Sequence, residues 1–205
     1  MKKKPPASYH HGDLRRALVD EALRALERDG VEQLSLRALA RALGVSPRAP
    51  YRHFETKELL LAAVAVEGFR NASQLAAQRI ATVGHDPIER LRAATEAYVL
   101  FAVEHPAAFR VMYAPYAAVN EQAPELLQAR GEGHLEMMSI IADGQQAGAL
   151  RSGDPMHLGL AIWSSIHGLA VLLIEGQLGR HDRRIDAGFL AKLVGGLLLD
   201  GLKAR

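Results

Sequence analysis

The stretch SLRALARALGVSPRAPYRHFETKELL, residues 35–60, decides how this chain folds. Leu36, Leu39, Ala40 and Leu43 recur at three- and four-residue spacing, an apolar stripe with Arg37 and Arg41 on other faces. Ser35 stands where a side-chain oxygen can accept from the orphan amides of a first helical turn. Gly44 stops that helix and Val45 lies in a short turn. Ser46 followed by Pro47 then signals a new start, because proline at a first helical position gives up only an amide that has no partner there. Tyr51 and Phe54 supply packing groups, with Arg48, Arg52 and His53 between them. Two short helices joined by a glycine-led turn, the second carrying cations on one face, are the parts of a helix-turn-helix whose second helix enters the major groove. Pro50 falls at the fourth position of that second helix, where its missing N–H loosens the first turn without breaking an interior. The expectation is a short helix from Pro47 to His53, with Arg48 and Arg52 exposed and Tyr51 and Phe54 holding it to its neighbours.

Outward from this stretch the signals stay helical. Leu14, Leu18, Ala22 and Leu26 mark a helix over about 13–29 that ends at Gly30, and Thr56 caps another that reaches the late seventies, with Glu58 in its first turn. Asp86-Pro87, His105-Pro106, Pro124, Asp154-Pro155 and Asp186 open five more, the first reaching about Glu104 and the third about Gln146. Period-two alternation and Asn-Gly or Asp-Gly hairpins are scarce. The fold expected is all-α: a flexible basic tail over 1–11, a three-helix helix-turn-helix DNA-binding domain over 12–72, and a larger helical regulatory and dimerisation domain over 73–205.

Composition narrows the function. Residues 1–57 hold 12 Lys and Arg against 7 Asp and Glu, while 58–205 hold 13 against 16, so one end of the chain is suited to a polyanion. With no cysteine there is no thiol nucleophile, disulfide or cysteine-ligated zinc, which fits a reducing cytoplasm. The opening MKKKPPASYHHGD lacks the apolar core of a signal peptide, and the most apolar run, LGLAIWSSIHGLAVLLIEG, carries Ser164, Ser165 and His167 at its centre. A soluble cytoplasmic protein without membrane contact is expected. No Gly-rich phosphate loop, nucleophile elbow or HExxH motif supports an enzyme, and no cofactor or metal is implied, since His10-His11 lacks further ligands.

Residues 35–60 closely resemble the DNA-binding module of the TetR family of transcriptional regulators. The matching positions are Ser35, Leu39 and Ala40, the turn Gly44 to Ser46, the YxHF element at Tyr51, His53 and Phe54, and the start of the next helix at Thr56 to Glu58. Arg48 and Ala49 depart from the small residue and threonine usual there. The resemblance implies a helix in the major groove and phosphate contacts from Tyr51, His53 and Lys57. Arg48 and Arg52 are candidates for base or phosphate contacts, and Arg37, Ser46 and Pro47 complete the expected DNA face. The tail with its three lysines either reaches phosphates and a minor groove or only solvates the protein.

The resemblance also implies a homodimer on a palindromic operator and a regulator, of repressor type, that answers to a small molecule. The segment WSSIHGL, with Trp163, His167 and Gly168, resembles a subset of the family marked by these residues. Independently, two apolar helices, near 155–176 with Leu158, Ile162, Leu169 and Leu172 and near 187–202 with Phe189, Leu193, Val194, Leu197 and Leu198, offer a four-helix interface between copies. Gly195-Gly196 would allow close approach there. Tyr98, Phe101, Phe109, Met112, Tyr113 and Tyr116, with Trp163 and His167, either line a pocket for a small apolar effector or simply fill the core. The alternative to a ligand-responsive regulator is an architectural DNA-binding protein with no effector, which would occupy many sites with weak preference.

Overall fold

The computed structural model describes residues 11–114, 124–178 and 186–204. The Lys2 to Lys4 tail, His10, Tyr116 and the connector 117–123 lie outside them. Among the described residues eight α-helices follow one another: α1 (His11–Gln33), α2 (Leu36–Ala42), α3 (Lys57–Ile80), α4 (Pro87–Glu104), α5 (Pro106–Met112), α6 (Pro124–Gln146), α7 (Pro155–Ile174) and α8 (Ala187–Leu202). Among the described residues the one extended pairing is an isolated bridge between Leu150 and Lys203.

Local chemistry places most helix starts. Ser35 accepts from the Ala38 amide, Thr56 from Leu59, Asp86 from Ile88 and Glu89, Asp154 from Met156 and Asp186 from Gly188. Each supplies an acceptor that the first helical turn cannot find within itself. Gly30 sits at φ 77°, so α1 kinks there and runs on for one short turn.

Two cores run through the molecule. The first joins Leu18, Leu26, Leu39, Phe54, Leu60 and Val64 to Phe101, Phe109 and Met112, and so extends from the helix-turn-helix into α4 and α5. The second joins Ile80, Leu91, Ile140, Ile162, Ile166 and Leu199. Tyr98 packs against both. The single helix α3 passes from one core to the other, about 36 Å at 1.5 Å per residue. The boundary expected after residue 72 therefore falls inside a continuous helix.

The structure corrects three expectations. Pro47 to His53 does not form an α-helix: residues 47–49 are a turn, and only Pro50–Arg52 is helical, as a 3-10 segment. The Ser46 carbonyl accepts from Ala49 at 2.9 Å, because Pro50 has no N–H to give it, and the i to i+3 pattern continues with Arg52 to Ala49 and His53 to Pro50. Tyr51 does not hold this segment in place, being 44% exposed; buried Pro50 and Phe54 do. Gly195 and Gly196 face α4 of the same chain: an added Cβ would lie 3.1 Å from the Thr95 hydroxyl and 3.3 Å from the Arg92 guanidinium.

The apolar stripe expected between copies divides as well. Ile162 and Leu169 are buried within the subunit, while Met156, Leu160 and Leu172 of α7 and Phe189, Leu193 and Leu197 of α8 are exposed. α7 is the one described helix long and apolar enough to cross a membrane by length and composition. It packs here against α4, α6 and α8.

The two kinds of α8 glycine predict opposite outcomes. Gly195→Val crowds Thr95 and lowers stability by about 1–3 kcal/mol. Gly201→Ala meets no atom within 4 Å and raises stability by up to about 1 kcal/mol through helix propensity. Thermal unfolding of the two variants beside the parent chain measures both.

Candidate functional site

Two sites emerge, one on the surface and one inside. On the surface, Arg37, Ser46, Pro47, Arg48, Tyr51 and Arg52 are all exposed, and His53 is half-buried. Arg48 and Tyr51, three residues apart, lie on one side of a tight helical turn, and exposed Arg52 follows directly. Pro50 and Phe54 form the opposite, buried side, and the Arg15 guanidinium lies 5.3 Å above the Phe54 ring as a cation over an aromatic face. This arrangement presents two permanent cations and a phenol hydroxyl on a segment whose angle is set from beneath.

Lys57, expected to contact phosphate, also has a partner within the chain. Its ammonium donates to the Val31 carbonyl at 2.6 Å, tying the first residue of α3 to the end of α1. That carbonyl also accepts from the Leu34 amide. The neighbouring α3 N-terminus is occupied too: Glu58 has its carboxyl held below the usual range by its own backbone N–H and then by the Thr56 hydroxyl. The positive end of α3 is thus satisfied from within the chain.

Inside, a cavity of about 560 Å³ lies where the two cores meet. Phe69 and Met112 come to its wall from the first core, and Ile80, Leu91, Ile140 and Ile166 from the second. Of the residues expected to bind a ligand, Tyr98, Met112, Tyr113 and Trp163 line it. Phe101 and Phe109 do not; they are 4% and 2% exposed and belong to the core, which is what aromatic residues at helical spacing do by default.

His167 stands behind the wall rather than in it. The Tyr98 hydroxyl donates to Tyr113 at 2.9 Å and lies 2.8 Å from His167 Nδ1. The imidazole stacks on Trp163, centroids 5.1 Å apart, and meets the Tyr113 ring edge-on at 4.6 Å. Burial, with Tyr113 beside it, raises the Tyr98 phenol far above its ordinary value, and burial raises Tyr113 as well. Burial and then the positive charge of Arg130 hold His167 below the usual imidazole range, so it is neutral at pH 7. Three neutral groups in a chain can pass a hydrogen bond in either direction.

Sequence reasoning missed the α6 side of this cavity. Leu127, Arg130, His134 and Met137 line it together. Their steps of three, four and three put them on one face of α6, a signal present in the sequence but without a direction until α6 is packed. Thr95 and Ser73 add hydroxyls to the wall. Among the described residues no group of three or more His, Cys, Asp or Glu is placed to hold a metal ion.

Comparison with known proteins bears on both sites. Residues 18–64 match a family model described as bacterial regulatory proteins of the tetR family, and residues 91–194 match one for a tetracyclin repressor-like C-terminal domain. Among solved structures, a protein of unknown function from Rhodococcus sp. RHA1 is 31% identical, covers 96% of this chain and 98% of its own, and superposes with a TM-score of 0.83. PfmR, a TetR family transcriptional regulator from Thermus thermophilus, is 24% identical over 89% of this chain and 97% of its own, TM-score 0.68. AibR, in complex with isovaleryl coenzyme A and operator DNA, is 21% identical over 90% and 97%, TM-score 0.66. No curated protein matches the chain.

The Lys57 tie is separable from any contact with DNA. Lys57→Met keeps the apolar stem and removes the donor to Val31, and stability of the DNA-free protein falls by about 1 kcal/mol in thermal or urea unfolding. An unchanged midpoint would show that the bond contributes nothing to the fold.

Proposed function

Because this chain belongs to the TetR family of DNA-binding transcriptional regulators, we propose that it acts as a homodimeric repressor that leaves a palindromic operator when a small, largely apolar effector fills the cavity between its cores. The observation that carries this reading is that α3 contributes to both sites. Its first half shares a core with Phe54, the buried residue that follows the exposed Tyr51 and Arg52, and its second half, from Phe69 to Ile80, walls the cavity. A ligand that prefers one position of that wall also prefers one position of the DNA face, and only such a preference shifts the equilibrium.

Arg48 and Arg52 reach base edges or phosphates, Tyr51 and His53 contact phosphates, Arg37, Ser46 and Pro47 border the same face, and Lys57 adds charge from its tied position. The DNA-binding part ends near residue 72, inside α3, and the rest of the chain forms the regulatory body. Trp163, His167 and Gly168 mark the family subset, with the stack of Trp163 on His167 as the feature that supports it. The place of work is the cytoplasm, where operator DNA lies. AibR is a neighbour of the same fold that holds an acyl thioester and operator DNA together, which makes an effector cavity the better-supported reading than a purely architectural protein.

Dimerisation uses the faces of α7 and α8 that one subunit leaves uncovered. Phe189, Leu193 and Leu197 follow at four-residue steps on the side of α8 opposite buried Ala191, Gly195 and Leu199, and Met156 and Leu172 of α7 are exposed as well. A patch of this kind is costly in water, and a two-fold partner covers it with a copy of itself.

Two measurements test the proposal. Genome-wide footprinting should find a few palindromic sites, and on such a site Arg52→Ala weakens binding and reduces the slope of log affinity against log salt by about one. An unchanged slope would remove Arg52 from the phosphate contacts. Leu197→Glu, at a position 69% exposed, leaves each subunit folded and shifts the protein to monomer in light scattering, with loss of operator binding. A variant that stays dimeric moves the interface away from α8.

A further inference from the structure

The titratable groups of the cavity wall other than its two tyrosines all come from α6. Arg130 lines it from α6, one helical turn before His134, which lines it too. Among the described residues Arg130 has no carboxylate within ion-pair distance and makes no side-chain hydrogen bond, whereas Arg15, Arg24, Arg28, Arg90, Arg92 and Arg110 are each paired with a carboxylate. Glu136 also borders the cavity, yet it pairs with neither Arg130 nor His134. Around an α-helix it is turned by about 120° from Arg130, whereas His134 is turned by about 40°.

The charge of Arg130 also reaches the buried hydrogen-bonding groups, whose ionisation burial opposes first. The charge of Arg130 favours the ionised form of Tyr98 and Tyr113 and disfavours protonation of His167. The one arginine in the lining thus stands without a carboxylate partner at an otherwise largely apolar cavity. A guanidinium with no partner at the rim of an apolar space is matched by a ligand that brings an anion on an apolar body. Its head takes paired N–H donors while its tail displaces water from Phe69, Ile80, Leu91 and Ile140.

We propose that the effector is an anionic amphipath, whose carboxylate or phosphate head is bound by Arg130 with His134 and whose apolar chain fills the cavity between the cores. This rests on the reading of that cavity as the effector site. It goes beyond that reading by assigning the sign of the ligand's charge and the residues that select it. The two sources of such a head, a free carboxylic acid and a thioester carrying phosphates on its carrier, share this chemistry.

The chain supplies its own probe, because its one tryptophan, Trp163, lines the cavity. Octanoate, octanoyl-coenzyme A, methyl octanoate and octylamine are titrated into the full-length dimer and followed by Trp163 fluorescence. The same four are then titrated into the operator complex followed by anisotropy. Parent chain and Arg130→Gln are compared, the substitution lying at an exposed position, with thermal unfolding to show that the variant is folded. One of the two anionic probes binds the parent at least about tenfold more tightly than the ester and the amine, and Arg130→Gln removes most of that margin while leaving ester binding unchanged. Preference for octanoate identifies a free acid as the source, and preference for the thioester a phosphate-bearing carrier. Equal binding of acid and ester, tighter binding of the amine, no saturable binding of either anion, or indifference to Arg130→Gln each overturns the assignment. Failure of the repressor reading looks different: a probe saturates the Trp163 signal and operator affinity does not move.

Discussion

The contact between Gly68 and Met112 holds the two ends of this molecule in register. Gly68 lies buried in the middle of α3, and a Cβ there would stand 2.8 Å from the Met112 sulfur of α5. Glycine inside a helix is less favourable than alanine by up to about 1 kcal/mol, so close approach of α5 is what its presence gains. From that seat α5 reaches three ways. Its Ala108 amide points at the Glu27 carboxylate of α1 at 3.4 Å. Its Arg110 donates to Glu175 and to the Ile174 carbonyl at the end of α7, both at 2.9 Å. Tyr113, just after its last turn, enters the cavity wall. A seven-residue helix thus touches the DNA-binding part, the cavity and the helix that carries the exposed apolar face. If α5 or α3 shifts when the cavity fills, the packed cores on either side have few intermediate arrangements to adopt.

The interior hydrogen-bond chain has a similar economy. Tyr98 is the middle member, bonded to Tyr113 on one side and close to His167 on the other, and it packs against both cores. With His167 neutral, one tautomer accepts at Nδ1 and the other donates there. The first leaves Tyr113 as donor to Tyr98, and the second frees the Tyr113 proton for whatever lies in the cavity. A ligand with an acceptor near Tyr113 therefore selects a direction that runs through α4 to α7.

Much of the fold could be read directly from the sequence because helix starts are local events. Ser35, Thr56, Asp86, Asp154 and Asp186 each cap the helix expected of them, and the starts of α3, α4, α6 and α7 follow from caps and prolines. The errors arise where a residue's role depends on what it packs against. In the sequence Pro50 stands out for its missing amide, yet it also provides the buried foot of the segment, and that leaves Tyr51 free to face outward. Gly195 and Gly196 signal close approach without saying to which helix, and α4 of the same chain takes the place given to a symmetry mate. Arg130 and His134 share a face with Leu127 and Met137, but a face has no direction before α6 is docked.

The apolar surface of α8 is divided between an inward and an outward face. Ala191, Gly195, Leu199 and Leu202 turn inward against α4, and the lack of side chains at Gly195 and Gly196 lets the two helices lie close. The outward side holds Phe189, Leu193 and Leu197, large groups that one subunit leaves in water. Small residues inward and large residues outward make α8 a thin layer between α4 and whatever covers it. α4 also lines the cavity, through Leu91, Ala94, Thr95 and Tyr98. A change in α4 on filling the cavity therefore reaches the outer face of α8 across a single helix diameter. In the proposed dimer that face meets its own copy, so a small rotation at the two-fold axis is enlarged at the far end of α3, where the distance between the two exposed arginine faces must match one turn of DNA.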